Sequence, residues 1–214
     1  MSRPLITVYI PFHTAEYAEA SQVALASLEA QDYRSFETIM VCNGTPIPDW
    51  MRRENFFTNT VAAFGRRLIA GPYHTLAAAA NAAISLARGE YIVRLDADDE
   101  FSPDALMEYV RTLTRYWKEN EFPRDAVYWR ACIAGHWEVD DPKTIYGGGL
   151  FLSVPDVRLA GGYDENKSLD DGEEIVCRMA MNSKQRGLTA ENRILRTSKP
   201  VYMYHKHARS MSHA

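Results

Sequence analysis

Three carboxylates, Asp96, Asp98 and Asp99, fall within four positions at the end of a β-prone run, Tyr91 to Leu95. Like charges packed at the end of a buried strand are costly unless a cation or hydrogen-bond donors neutralise them. Hard oxygen ligands of this kind suit Mg2+ or Mn2+, which usually bind through one or two carboxylates together with substrate phosphates. In open α/β sheets, ligands collect outside the carboxyl ends of the strands, where this cluster falls. A structural alternative stays open at this point: the acids form a loop that caps the helix starting near Ser102-Pro103-Asp104.

The elements that must position this cluster alternate along the chain. Leu5 to Ile10 reads as a buried strand stopped by Pro11, and Ala15 to Ala30 as a helix with Ala18, Val23, Leu25 and Leu28 towards the core. Phe36 to Cys42 is the next strand, ending in the turn Asn43-Gly44-Thr45-Pro46. A short helix over Asp49 to Phe57 and a strand within Val61 to Ile69 follow. Thr75 to Ala87 is alanine-rich and helical, with Gly89 placed to end it. The acidic strand then leads to a helix over Pro103 to Lys118. Strands separated by helices of this length imply right-handed βαβ units and a parallel sheet. Further on, Ala126 to Ala134 and Leu150 to Val154 read as strands on either side of a polar segment and the run Gly147-Gly148-Gly149. Glu173 to Met181 reads as a helix and Val201 to Tyr204 as a late strand.

The 214 residues suffice for a full α/β core, and 46% hydrophobic with 24% charged residues argues against disorder. No apolar run approaches the roughly 20 residues that span a bilayer, and Met1-Ser2-Arg3-Pro4 leads into a strand without signal-peptide anatomy. Cys42, Cys132 and Cys177 form no CxxC pair, which reads as thiols in a reducing cytoplasm. A net charge of −4 does not favour a nucleic-acid surface. Arg52-Arg53, Arg66-Arg67 and the stretch from Arg186 to Arg196 are the candidates for a local basic stripe, with solvated faces the favoured reading.

Several further motifs stand in a telling order. Ile6-Thr7-Val8-Tyr9-Ile10-Pro11-Phe12 opens the chain, and Ala24 to Tyr33 forms a helix and the turn that ends it. Ala78-Ala79-Ala80-Asn81-Ala82-Ala83-Ile84 and Ala87-Arg88-Gly89-Glu90-Tyr91-Ile92 precede Leu95-Asp96-Ala97-Asp98-Asp99 and Pro103-Asp104-Ala105-Leu106. Gly161-Gly162-Tyr163-Asp164-Glu165 and the stretch from Tyr204 to Ser212 come after them. From Ile6 to Ser212 this set resembles the large family 2 of inverting glycosyltransferases, which adopt the GT-A fold. The resemblance implies a single Rossmann-like α/β domain over 1–214, with a mostly parallel central sheet flanked by helices. About 1–100 would be its nucleotide-sugar-binding half and about 101–214 its acceptor-side half.

The implied reaction moves a sugar from a nucleoside-diphosphate sugar to an acceptor hydroxyl or amine, with inversion and with Mn2+ or Mg2+. Asp96-Ala97-Asp98 matches the DXD motif. Asp98 matches the principal metal ligand, and Asp96 the position that contacts ribose or helps hold the ion. Asp99 either braces the site or caps the following helix. His207, in the context of Ser210 and Ser212, matches a position used on the metal or the diphosphate, whereas His205 and His213 lack that support and read as bystanders. Pro11, Phe12 and Thr14 line the nucleoside side by position.

The general base is expected from Asp170-Asp171-Gly172-Glu173-Glu174, ahead of Arg178. Alignment on Arg178 places Gly172 at the catalytic position; alignment on the acidic pair places Asp171 there. Asp171 is the choice, with Glu173 and Asp170 behind it. The competing reading is that these acids favour a helix N-terminus, worth about 0.3–1 kcal/mol. Gly148 and Gly149 fall where the family builds its acceptor floor, with a simple turn as the alternative. Trp129, Trp137, Tyr128 and Tyr146 offer rings for stacking, or core packing.

The chain departs from the pattern in donor recognition. Cys42 and Asn43 stand where an acidic pair normally contacts uracil; the Asn43 amide can donate and accept, so it can pair with uracil or with cytosine. Ala80 stands where many relatives carry arginine, and neither Arg88 nor Arg94 is assumed to replace it. The acceptor, whether saccharide, lipid-linked sugar, protein or modified nucleic acid, is not named by the sequence, and a homo-oligomer is left open. Two alternatives to the enzyme acting on ordinary acceptors are kept. One is a catalytically inactive relative that binds nucleotide sugar or carbohydrate; the other is a glycosyltransferase acting on modified nucleic acid.

Overall fold

Alternating apolar residues give the first strand, β1 (Ile6–Phe12), two buried faces: Ile6, Val8, Ile10 and Phe12 pack on one side and Tyr9 on the other. The computed structural model describes residues 3–58, 60–119, 132–134, 147–166, 174–179 and 194–205. After β1 come α1 (Ala15–Glu29), β2 (Phe36–Asn43), the short helices α2 (Asp49–Arg52) and α3 (Glu54–Thr58), β3 (Arg66–Gly71), α4 (Leu76–Leu86) and β4 (Tyr91–Arg94). These are followed by β5 (Glu100–Phe101), α5 (Ala105–Glu119), β6 (Cys132–Ala134), β7 (Leu150–Ser153), α6 (Val154–Leu159), a helical segment over 174–179, β8 (Ile194–Arg196) and β9 (Tyr202–Met203).

Among the described residues, seven strands form one sheet in the order β3-β2-β1-β4-β7-β6-β8, and β5 pairs separately with β9. Only β7 runs against the rest: it is antiparallel to both β4 and β6, while the other pairings are parallel. The sheet is thus mostly parallel, with helices on both faces, the α/β arrangement expected. On one face α1 and α5 contribute Leu25, Leu28, Leu106 and Tyr109 to the core; on the other, α4 and α6 contribute Ala79, Ala83, Ile84 and Val157. The alanines of α4 let that helix lie close to the strands. The chain moves outward from β1 to β2 and β3, then returns to the other side of β1 as β4. The carboxyl ends of β1 and β4 therefore flank the switch point at which such sheets bind ligands.

Several details differ from the sequence reading for physical reasons. Pro11 does not stop β1, which continues to Phe12 in register with Cys42. Tyr9 accepts from the Leu95 N–H on the β4 side, so the missing N–H of Pro11 faces the same side. There β4 has already ended opposite Tyr9. The helix expected over Asp49 to Phe57 is broken at Arg53, which is extended. Val23 is turned outward and 44% exposed rather than core. Gly89 matters less as a helix stop than as a close approach: a Cβ there would lie 2.6 Å from the Thr7 amide nitrogen. Of the strand expected over Ala126 to Ala134, only residues 132–134 are described.

The start of β4 is pinned by one buried acid. Glu37 on β2, 1% exposed, accepts from the Thr7 hydroxyl (2.8 Å), the Arg88 N–H (2.8 Å) and the guanidinium groups of Arg67 and Arg88 (2.8 and 3.0 Å). A buried carboxylate is tolerable only when its lone pairs are met in this way. The network locks the turn before β4 to β1 and β2, and so fixes where Asp96 emerges.

Candidate active site

Leu95 donates to the Tyr9 carbonyl at 3.0 Å, after which the chain leaves the sheet and turns, with the Asp99 N–H donating to the Asp96 carbonyl at 3.1 Å. This tight turn carries the acidic cluster at the carboxyl edge of β4. Its three carboxylates meet different surroundings. Asp96 is held by Arg94, whose Nε lies 2.9 Å from Asp96 Oδ1. Asp99 is buried, 1% exposed. Its Oδ2 accepts from the Tyr202 hydroxyl at 2.6 Å and its Oδ1 from the His205 N–H at 2.9 Å. Asp98, between them, is partly exposed. Its charge reaches Tyr17 on α1, whose hydroxyl pKa is raised by burial and then by Asp98 and Asp96.

Of the two roles open to Asp99 in the sequence, bracing the site fits: its carboxylate bonds to Tyr202 and His205 and leaves the start of α5 to other groups. His205 contributes its backbone, not its ring, to the acidic turn. Beyond its N–H bond to Asp99, its Nε2 lies 2.7 Å from Glu100 Oε1. Tyr202 and Arg94 were not singled out for the site by the sequence. For Arg94 a signal existed, since a cation in a buried strand two residues before Asp96 shares its side of the pleat. For Tyr202 there was none.

The glycines of the 147–149 turn lie against this cluster. Gly148 bridges to Arg94 and the Gly149 N–H donates to the Arg94 carbonyl at 2.8 Å. A Cβ on Gly148 would come within 2.8 Å of Asp96 Oδ2 and 2.7 Å of the Tyr202 hydroxyl; Gly149 adopts φ +68°. Gly148 is therefore required by close packing around the carboxylates, whatever else approaches that surface.

Residues expected on the nucleoside side gather at the same edge. Asn43 ends β2 beside Phe12 and Cys42. Thr14 caps α1, its hydroxyl accepting from the Tyr17 N–H at 3.2 Å. Phe12 and Ala97 are buried in the core, 1% and 2% exposed. Ala80 is fully buried in the core between α4 and the sheet.

Asp170, Asp171, Glu173, His207, Ser210, Ser212, Trp129, Trp137, Tyr128 and Tyr146 lie outside the described residues. The helical segment just beyond the acidic stretch is described. Glu174 accepts from Arg178 Nε at 2.8 Å, and Arg178 Nη2 reaches Asp164 at 3.5 Å. Asp164 belongs to a loop held by Asn81 on α4, which accepts from the Tyr163 N–H at 2.8 Å and donates to its carbonyl at 3.0 Å. The helix at 174–179 is thus tied through this loop to α4.

Among the described residues, no group of three or more His, Cys, Asp or Glu side chains is arranged to hold an ion. The donor chemistry nonetheless suits Mg2+ or Mn2+. Asp96 and Asp98 offer partly exposed carboxylate oxygens beside the buried Asp99, the ligand type those ions share with phosphate oxygens.

Burial, and then the charges of Asp96 and Asp98, push the Asp99 carboxyl from its ordinary 3.8 up to about 7, against the opposing hydrogen bonds from Tyr202 and the His205 N–H. The folded protein then binds this proton more tightly than the unfolded chain. The stability contributed by Asp99 is fully present below about pH 4 and is lost as pH rises to about 7, by a few kcal/mol at most. Denaturant midpoints of the metal-free protein should fall between pH 5 and 7.5, and Asp99→Asn should flatten that slope. An unchanged slope in the variant would assign the effect to other groups.

Comparison with known proteins gives the family and the fold. The model of the family described as Glycosyl transferase family 2 matches residues 7–124, more than half of the chain. A chondroitin synthase of Pasteurella multocida (strain Pm70) and a hyaluronan synthase of the same species are each 30% identical over 105 residues. That stretch is 48% of this chain and 10% of each synthase, so the chain spans about one tenth of those proteins. A mannosyltransferase from Pyrobaculum calidifontis, solved in complex with GDP-Man and Mn2+, superposes with a TM-score of 0.68 at 21% identity, covering 98% of this chain and 59% of that one. S. aureus TarS 1-349 in complex with UDP-GlcNAc superposes with a TM-score of 0.64 at 15% identity, covering 98% and 61%. The fold is that of these structures. No described helix is long and apolar enough to cross a membrane.

Proposed function

This chain belongs to glycosyl transferase family 2, and on that premise we propose that it is a divalent-metal-dependent, inverting glycosyltransferase using a nucleoside-diphosphate sugar. The observation that carries the reading is the unequal treatment of the three carboxylates beyond β4. Asp99 is buried and bonded to Tyr202, Asp96 is paired with Arg94, and both Asp96 and Asp98 stay partly exposed at the carboxyl edge of β4. A Mn2+ or Mg2+ ion held chiefly by Asp98, with Asp96 and His207 as further candidates, would supply Lewis-acid neutralisation of the departing diphosphate.

This chain's own residues do the rest. Asn43, Thr14 and the backbone of Pro11, Phe12 and Ala97 bind the nucleoside, with the Asn43 amide reading the base edge. Asp96, immobilised by Arg94 and Tyr202, orients the ribose. Asp171 takes the proton from the acceptor hydroxyl or amine, with Glu173 and Asp170 as the next candidates. The backbone at Gly148 and Gly149 offers the acceptor a surface without side chains. Holding both reactants in line is the larger part of the task. The described thiols, Cys42 and Cys177, suit a reducing, cytoplasmic setting where nucleotide sugars are at hand.

A thermal-shift screen of UDP, GDP, CDP and ADP with and without Mn2+ tests this reading. A nucleotide at 100 times its Kd stabilises by about 2.7 kcal/mol, roughly 5–10 °C for a chain of this size. One base should stand out, and only with the metal. Its labelled nucleotide sugars should then release diphosphate slowly in water. Binding without release would identify an inactive relative, and no shift with any base would end the proposal.

A further inference from the structure

One hydroxyl ties the acidic turn together, and it comes from a strand more than a hundred residues further along the chain. We propose that Tyr202 is a positioning residue that sets the orientation of Asp98 by anchoring the residues on either side of it. The inference rests on the metal-dependent reading above.

The Tyr202 ring is immobile for reasons of packing. It is 5% exposed, lies edge-on to Phe101 at 5.7 Å, and sits against Gly148 and Gly149, where any Cβ would strike it at 2.7 Å. β9 is itself fastened to β5, with Phe101 opposite Tyr202 and the Ser102 N–H donating to the Val201 carbonyl at 2.9 Å. A ring so confined can place its hydroxyl in only one spot. There it accepts from the Asp96 N–H at 3.2 Å, donates to Asp99 Oδ2 at 2.6 Å, and lies 3.0 Å from Asp96 Oδ2. A phenol has one proton for two carboxylates; the shorter bond goes to Asp99, and Arg94 holds Asp96. The turn is therefore fastened at its first and last acids, and Asp98, one residue before Asp99, has little freedom left. Groups pre-arranged in this way bind without first being ordered.

Tyr202→Phe keeps the ring and its packing and removes only the hydroxyl. Titrated with Mn2+ alone and followed by the EPR signal of the free ion, the variant should bind about tenfold more weakly than the parent. Donor turnover should show kcat reduced about 10–100-fold with donor KM changed less than about threefold, a split that general loosening of the fold would not produce. Asp99→Ala cuts the same tie from the other side and should reproduce the Mn2+ defect, with the double variant no worse than either single one. It also serves as the independent route should the Phe variant fold poorly. Equal Mn2+ affinity in Tyr202→Phe and the parent, or losses that multiply in the double variant, would overturn the assignment while leaving the enzyme reading intact. A parent protein that binds neither Mn2+ nor any nucleotide would remove both.

Discussion

Asp98→Asn should lower kcat/KM for donor turnover about a thousandfold while leaving the metal-free protein as stable as the parent or slightly more so. The loss follows from the role proposed for Asp98: neutralising a leaving diphosphate is worth several kcal/mol, and each 1.36 kcal/mol is a factor of ten. The gain follows from the cluster. The charge of Asp98 helps raise the pKa of Asp99, a like-charge repulsion that an uncharged amide relieves. Asp96→Asn provides the contrast, because Arg94 and Tyr202 still flank that position; it should cost donor affinity more than turnover. The checks are steady-state kinetics with Mn2+ and denaturation in chelator. Full turnover in Asp98→Asn would refute the site.

Asp171→Asn should reduce transfer to acceptor by about 10²–10⁴-fold, the usual worth of a positioned general base. It should keep the nucleotide-induced thermal shift, since donor binding does not use it. Asp170→Asn and Glu173→Gln should each lose less than tenfold. The structural support is the anchoring of the helix just beyond this stretch: Glu174 and Arg178 bind each other, and Arg178 reaches Asp164, whose loop is held by Asn81. A pH profile of kcat/KM should lose its acidic limb in Asp171→Asn alone. If Glu173→Gln carries the large loss instead, the base lies two residues further on.

The features legible in the sequence were local. The acidic turn and α4 declare themselves through residues adjacent in the chain, where charge spacing and helix propensity act over a few positions. The placement of the acidic turn at the carboxyl edge, and of α4 on one face, follows from the alternation of strands and helices. Pro11 misled because its effect depends on its neighbours: a missing N–H stops a strand only where a partner needs it, and β4 has already ended there. Val23 misled because an apolar residue costs little when exposed singly. Tyr202 and His205 were invisible as partners of the turn because β9 is two residues long and carries no periodicity. Their bonds to Asp96 and Asp99 span separations of 103 and 106 residues, which nothing in local pattern can report. Gly148 stands out in the sequence as one of three consecutive glycines, but its tight packing against Asp96 and Tyr202 could only be seen in three dimensions.

The pairing of β9 with β5 has a consequence for synthesis on the ribosome. A nascent chain can assemble β1 to β4 from neighbouring βαβ units as they emerge, with Arg94 already beside Asp96, yet Asp99 waits for the translation of Tyr202 and His205 before its carboxyl group finds those partners. Loop closure over that distance is slow compared with local docking. The acidic turn should therefore mature after the strands around it, and a stalled or shortened product would have much of its sheet but an unbraced carboxyl edge at β4.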